Sequence, residues 1–285
     1  MEQAGAPGGE GAGGSAVVCA PTVGIFDSGI GGLTVAQAIL QRRPDLSLVY
    51  YADTLNMPYG GRPPGQIATF ARQSIEFLLE QGIDILALGC NASNSVLADN
   101  EMEGFGVPVF DLVGSTIDWL RSQAEPPTEL AVIATQATID SRHWKRKLAD
   151  AFPEMKIHPV AAPEFVPLIE AQELDEKAIR RAVERRLGRL VTAGARVFLH
   201  GCTHFPFLQE YMEELAGGLT FIDPAECLAE NLAAGLGPAE DDSTAGTLHF
   251  FNSLPGERFY TLAERLLGRS IRQYTSMYIV NAHED

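Results

Sequence analysis

Long apolar runs, paired cysteines and positive charge are all scarce in this chain of 285 residues, and each scarcity narrows what it can be. No apolar run approaches the roughly 18 residues that cross a bilayer, so no membrane span is expected. The four cysteines, Cys19, Cys90, Cys202 and Cys227, show no CxxC spacing, which leaves a structural zinc site or a redox pair without support. Basic residues number 21 against 37 acidic ones. The resulting formal net charge of −16 repels phosphate backbones, and general nucleic-acid binding is not expected. Residues 1–16 are Gly- and Ala-rich with two acids and no base. They lack the charged start and apolar centre of a secretory signal and read as a disordered tail. The expectation is a cytoplasmic protein whose thiols are free.

What is present is an ordinary globular composition, 46% hydrophobic and 20% charged, in a chain long enough for two domains. Strand-like runs at 22–26, 48–52, 83–88, 107–112, 130–134, 157–160, 197–199 and 220–222 alternate with helical periodicity at 33–41, 67–81, 141–152 and 175–193. Such alternation predicts an α/β fold: two similar doubly wound domains with parallel-rich sheets and helices on both faces. Pro126-Pro127 and the acidic loop 238–247 punctuate the chain. The expected division is a tail at 1–16, a first domain from 17–113 plus 223–285, and a second from 114–222. The final helix, near 256–267, is expected to have no sheet of its own and to fold back on the first unit.

Two segments echo one another. Ile85-Leu-Ala-Leu-Gly89-Cys90-Asn91 and Val197-Phe-Leu-His-Gly201-Cys202-Thr203 both run strand, glycine, cysteine, small polar residue. A cysteine after an apolar strand is usually a small core residue. Here Asn91 and Ser93 follow one, and Thr203 and His204 follow the other. Polar groups of this kind have no use in a core, where each costs roughly 1–3 kcal/mol if unpaired. Ligands of parallel sheets bind at the carboxyl ends of strands, so facing rims put both thiols on one cleft. Cys19 and Cys227 lack such neighbours and read as structural.

Phe26-Asp27-Ser28-Gly29-Ile30-Gly31-Gly32-Leu33-Thr34 forms a tight strand-to-helix turn. It matches neither the phosphate loop nor the dinucleotide fingerprint, and a carboxylate fits its amides and the Ser28 hydroxyl better than a nucleotide. Asp27 is placed to position a neighbouring thiol or to receive its proton. The turn at Met57-Pro58-Tyr59-Gly60-Gly61 lands on the same rim, within reach of a substrate for Tyr59 and the Gly60 amide. Thr135 and Thr138 are either helix caps or carboxylate ligands.

Together with Phe165-Val166-Pro167-Leu168-Ile169-Glu170 and Gly201-Cys202-Thr203-His204-Phe205-Pro206, these motifs occur in an order that resembles the glutamate racemase branch of the aspartate/glutamate racemase family. The resemblance spans about residues 22–280. It implies two similar α/β domains with the active site in the cleft between them, and amino-acid racemisation without metal or pyridoxal phosphate. By position Cys90 and Cys202 match the paired acid/base residues, Cys90 acting on the D-isomer and Cys202 on the L-isomer. Asp27, His204 and Glu170 match the groups that assist them. Ser28, Pro58, Tyr59, Gly60, Asn91, Ser93, Thr135, Thr138, Thr203 and His204 fall at or beside substrate-binding positions. The implied product is D-glutamate for peptidoglycan, cell-wall biogenesis and cell shape. Partners are confined to a small amino-acid substrate, and a homodimer is compatible with the pattern.

Two departures stand out. The family reads Cys-Asn-Thr where this chain reads Cys90-Asn91-Ala92-Ser93, so a hydroxyl is missing at Ala92 from the substrate-binding set. A lost hydrogen bond to a charged group costs roughly 1.5–3 kcal/mol, about ten- to a hundredfold in affinity. Ser93 replaces it only if the turn is rearranged. His200 stands where an apolar residue is usual. Aspartate or another amino acid therefore stays open as substrate, as does a non-catalytic regulatory relative. The chemistry explains why there should be two thiols, since racemisation removes a proton from one face of Cα and returns one to the other. A thiol with pKa about 8.5 makes both its forms accessible near neutrality.

Overall fold

The computed structural model describes residues 20–171, 175–239, 245–254, 256–271 and 273–276; the expected tail at 1–16 and Cys19 lie outside the described residues. Strands covered on both faces read as unbroken apolar runs. β1 (Thr22–Asp27), β2 (Ser47–Ala52) and β3 (Ile85–Leu88) are such runs, buried along nearly their whole length. The shorter β4 (Val109–Asp111) follows. β5 (Glu129–Ala134), β6 (Lys156–Ala161), β7 (Val197–Gly201) and β8 (Thr220–Ile222) form a second group, and β9 (Leu248–Asn252) and β10 (Gln273–Ser276) come last.

These strands make two sheets with the orders β10-β9-β2-β1-β3-β4 and β6-β5-β7-β8. Every pairing is parallel, as expected for strands joined through helices. The strand order reverses between β1 and β3 in the first sheet and between β5 and β7 in the second. A crevice opens beyond the carboxyl ends of strands at each such reversal. Asp27 ends β1 and Cys90 lies just beyond β3, whereas Thr135 follows β5 and Cys202 follows β7.

Three local expectations need correction. The last segment does have strands. β9 pairs with β2 through Leu48↔Leu248 to Ala52↔Asn252, and β10 pairs with β9, so the final helix Glu257–Leu267 connects two strands of the first sheet. The β2 partner of β9 lies about two hundred positions away in sequence, where local periodicity carries no signal. That helix does fold back on the first unit, with Phe259 set 5.8 Å from Tyr50. The helix expected at 141–152 is His143–Ala151, and an unforeseen short helix, Gln136–Asp140, precedes it; Arg142, in the left-handed region at φ 55°, separates the two. The helix expected from 67 begins three residues earlier, at Pro64, where a missing N–H costs nothing.

Candidate active site

The carboxyl ends of β1, β3, β5 and β7 converge on one cavity of about 180 Å3. Asp27 and Ser28 from the first turn, Cys90, Asn91 and Ala92 after β3, and Pro58, Tyr59 and Gly60 line it from the first sheet. Thr135 and Thr138 after β5, and Cys202, Thr203 and His204 after β7, line it from the second. Two expected residues are elsewhere. Glu170 stands behind the wall as the partner of His204. Ser93 is fully buried and absent from the lining, so it does not supply the hydroxyl that Ala92 lacks. The reason is helical: in the turn Asn91–Asn94 successive side chains rotate by about 100°, which directs positions 91 and 92 to the cavity and 93 away from it.

The two sides of the cavity are joined through glycines. Thr203 Oγ1 donates to Asp27 Oδ2 at 3.1 Å, crossing from one sheet's loops to the other's. The remaining oxygen of Asp27 accepts from Gly29 N at 2.6 Å. A side chain at Gly31 would meet the Thr203 hydroxyl at 2.6 Å and the His204 ring closer still, and one at Gly60 would meet Thr135 at 2.7 Å. Close approach of the backbone to side chains from the other sheet's loops is what those glycines supply.

Each thiol has its own electrostatic setting. Burial, joined by the negative charge of Asp27, pushes the Cys90 thiol up to about 12, although the nearby Ser93 and Ser28 groups act the other way. Its S–H lies 3.7 Å from Ser28 Oγ. The Ser93 hydroxyl sits beside that sulfur without a well-aligned hydrogen bond. Cys202 Sγ faces His204 Nδ1 at 3.9 Å, and His204 Nε2 donates to Glu170 Oε1 at 2.8 Å. Burial pulls the His204 imidazole down, but its bonds to Cys202 and Glu170 and the charges of Cys202 and Asp27 outweigh this and raise it to about 10. Burial raises Asp27 to about 6 despite the opposing His204 charge and the Gly29 and Thr203 hydrogen bonds. The result is an imidazole favoured in its protonated form and bonded to Glu170 on the Cys202 side, and a protonated thiol on the Cys90 side.

Other expected residues are held in place by what lies behind them. The Tyr59 hydroxyl donates to Asp53 Oδ2 at 2.5 Å, and Asp53 accepts in turn from Ser253 at 3.2 Å at the end of β9. Thr135 caps the helix Gln136–Asp140 and shares a 3.0 Å hydroxyl contact with Thr138, so capping and cavity lining are not alternatives there. His200 is wholly buried, stacked on Phe221 and 3.3 Å from Gln209 Oε1. It takes no part in the cavity. Cys227 is buried on the helix Pro224–Leu236, away from the site.

Sequence reasoning missed Met57, Gly61, Gln136, Pro163, Val166 and Pro167, which complete the lining. Val166 and Pro167 sit in the same short helix as Glu170, so the motif that indicated one carboxylate also carried part of an apolar wall.

The arrangement suits proton transfer at a small anionic molecule: two thiols, one cation, and several hydroxyl and amide groups around a partly enclosed cavity. The family model for Asp/Glu/Hydantoin racemase matches residues 34–232, more than half of the chain. A glutamate racemase from Gloeobacter violaceus is 33% identical over 238 residues, covering 83% of this chain and 89% of that one. The structure of glutamate racemase isoform RacE1 from Bacillus anthracis superposes with a TM-score of 0.83 at 27% identity, covering 93% of this chain and 98% of that one. The glutamate racemase of Francisella tularensis, solved in complex with D-glutamate, shares the fold with a TM-score of 0.80 at 22% identity, over 91% of this chain and 98% of its own.

Proposed function

The chain belongs to the Asp/Glu/Hydantoin racemase family and is an isomerase, and from that premise we propose that it interconverts L- and D-glutamate by two-thiol proton transfer at Cα. The observation that carries the reading is the placement of Cys90 and Cys202 at two separate strand-order reversals that open on one cavity.

For L-glutamate the Cys202 thiolate takes the Cα proton while the Cys90 thiol delivers its own to the opposite face. The product is D-glutamate, with Cys202 left as thiol and Cys90 as thiolate. Proton exchange with solvent restores the starting form, and the D-isomer runs the same steps in reverse. The His204 imidazolium, held by Glu170, stabilises negative charge on the Cys202 sulfur. The carbanion is the harder species, because no imine sink exists among these residues. Preorganised donors around the α-carboxylate disperse its charge, the unpaired Asn91 amide foremost. At Ala92 the wall has no hydroxyl to add.

D-Glutamate made in this way supplies peptidoglycan assembly, and free buried thiols suit a reducing cytoplasm. Among the described residues no helix is long and apolar enough to cross a membrane. The division into 17–113 with 223–285 and 114–222 belongs to the same proposal.

The test is Cα proton exchange in deuterated water with both enantiomers of glutamate and aspartate. Wild type is expected to exchange and racemise glutamate, and Cys90→Ala and Cys202→Ala each to abolish racemisation. A wild type that exchanges only aspartate relocates the substrate, and one that exchanges neither sinks the proposal.

A further inference from the structure

We propose that Trp144 is a positioning residue, which fixes the Asn91 amide so that its NH2 group faces the cavity as a donor for the substrate carboxylate. The inference rests on the racemase reading for the identity of that carboxylate. Trp144 lies on the helix His143–Ala151 and is 2% exposed, and Asn91 is 3% exposed. The indole N–H lies 3.0 Å from Asn91 Oδ1.

An indole nitrogen only donates. The amide atom opposite it must therefore be the oxygen, which sends Nδ2 the other way. That nitrogen is buried and has no hydrogen-bond partner among the described residues, on a residue that lines the cavity. Buried amide donors are rarely left unpaired, because desolvation is not recovered. An oxygen acceptor entering the cavity satisfies it, and a carboxylate does so with a charge-assisted bond. Ligands that present an ammonium group or a methyl group there do not. With Ala92 next in sequence, this oriented amide takes on recognition that a hydroxyl would otherwise share.

The bond also spans the two sheets' layers, since Asn91 follows β3 and Trp144 comes two turns after β5. The left-handed Arg142 starts a fresh helix and aims Trp144 back at the first unit. Donor orientation is thereby tied to the spacing of the two units.

The test is a double-mutant cycle read by calorimetric titration with D-glutamate, using wild type, Trp144→Phe, Asn91→Ala and the double variant. Phenylalanine keeps an aromatic ring at the site, though a smaller one, and removes the donor, so the amide relaxes in the empty site. Trp144→Phe is expected to weaken binding about five- to a hundredfold, and to raise KM in both directions more than it lowers kcat. In the Asn91→Ala background the same change is expected to add less than about twofold, because the group it acts through is gone. Undiminished binding by Trp144→Phe, or an equal loss in both backgrounds, overturns the inference.

Should Trp144→Phe fail to fold, Asn91→Asp keeps the Trp144 bond and turns an oxygen towards the substrate. It is expected to lose about a hundredfold or more in affinity, and binding within about twofold of wild type overturns the inference. Racemisation by wild type judges the proposed function separately. A wild type that racemises while the cycle shows no coupling refutes only the role of Trp144. A wild type that binds D-glutamate without exchanging its proton refutes the racemase reading and leaves the cycle interpretable.

Discussion

Gly31→Ala is the most direct probe of how the two halves of the site are held. Gly31 is not among the glycines in the left-handed region, so its backbone accepts alanine and the consequence is steric. The added Cβ would stand 2.6 Å from Thr203 Oγ1 and closer to His204 Nδ1, where ordinary contact is 3.4–4 Å. Relief requires about 1 Å of displacement of the Thr203–His204 loop from the Asp27 turn. The 3.1 Å Thr203–Asp27 hydrogen bond does not survive that shift, and the His204–Cys202 contact, already 3.9 Å, changes with it. Misplacement on this scale costs about a hundredfold in rate, or about 2.7 kcal/mol in barrier. Overpacking adds about 1–3 kcal/mol of destabilisation, so thermal unfolding must first show the variant folded at the assay temperature. Racemisation is followed by circular dichroism from each enantiomer. Gly65→Ala, which meets nothing within 4 Å on the helix Pro64–Glu80, is the control and should match wild type. A folded Gly31→Ala protein within about threefold of the wild-type rate would refute the steric account of the seam.

Three further outcomes follow from the charges around the thiols. Iodoacetamide should alkylate Cys90 slowly in the empty protein, with a rate that rises about tenfold per pH unit between pH 7 and 9; mass spectrometry reads this, and a plateau there contradicts a thiol held near 12. His204 is raised from 6.5 to about 10, so the stability its protonation contributes is complete below pH 6.5 and lost as pH rises through 10; Glu170→Gln should flatten that decline in denaturant melts, and an unchanged slope argues against the pair. Asp27 is raised from 3.8 to about 6 by burial, which favours its neutral form in the fold. Stability present below pH 3.8 is therefore lost as pH climbs through 6, and Asp27→Asn should remove that loss together with any limb near pH 6 in the kcat/KM profile.

Some of this site is legible along the chain because its determinants are local. Asp27, Cys90 and Cys202 each end or follow a buried strand at a glycine turn, so pattern alone puts them on a rim. What stayed hidden depends on rotation or distance. Ser93 is one residue from Ala92, yet a helical step turns it inward. Trp144 looks like any apolar helix residue until its indole is seen against Asn91, across the boundary between the sheets. β9 is a five-residue run whose identity as a strand rests on β2. The threonines at 135 and 138 could not be divided between capping and cavity because they do both.

The pairing of Leu48 with Leu248 has a consequence for synthesis. A ribosome adding about 5–20 residues per second needs about 10–40 s to supply the partner strand after β2 has been made. Through that interval β2 presents an open, apolar edge of the kind that recruits foreign strands. The sheet β6-β5-β7-β8 lies within one uninterrupted stretch and can close meanwhile. Ser253, which steadies Asp53 beneath Tyr59, arrives only with β9. A nascent chain stalled before residue 248 thus holds Cys90 and Cys202 but not the support of its first rim, and is a natural client for chaperones.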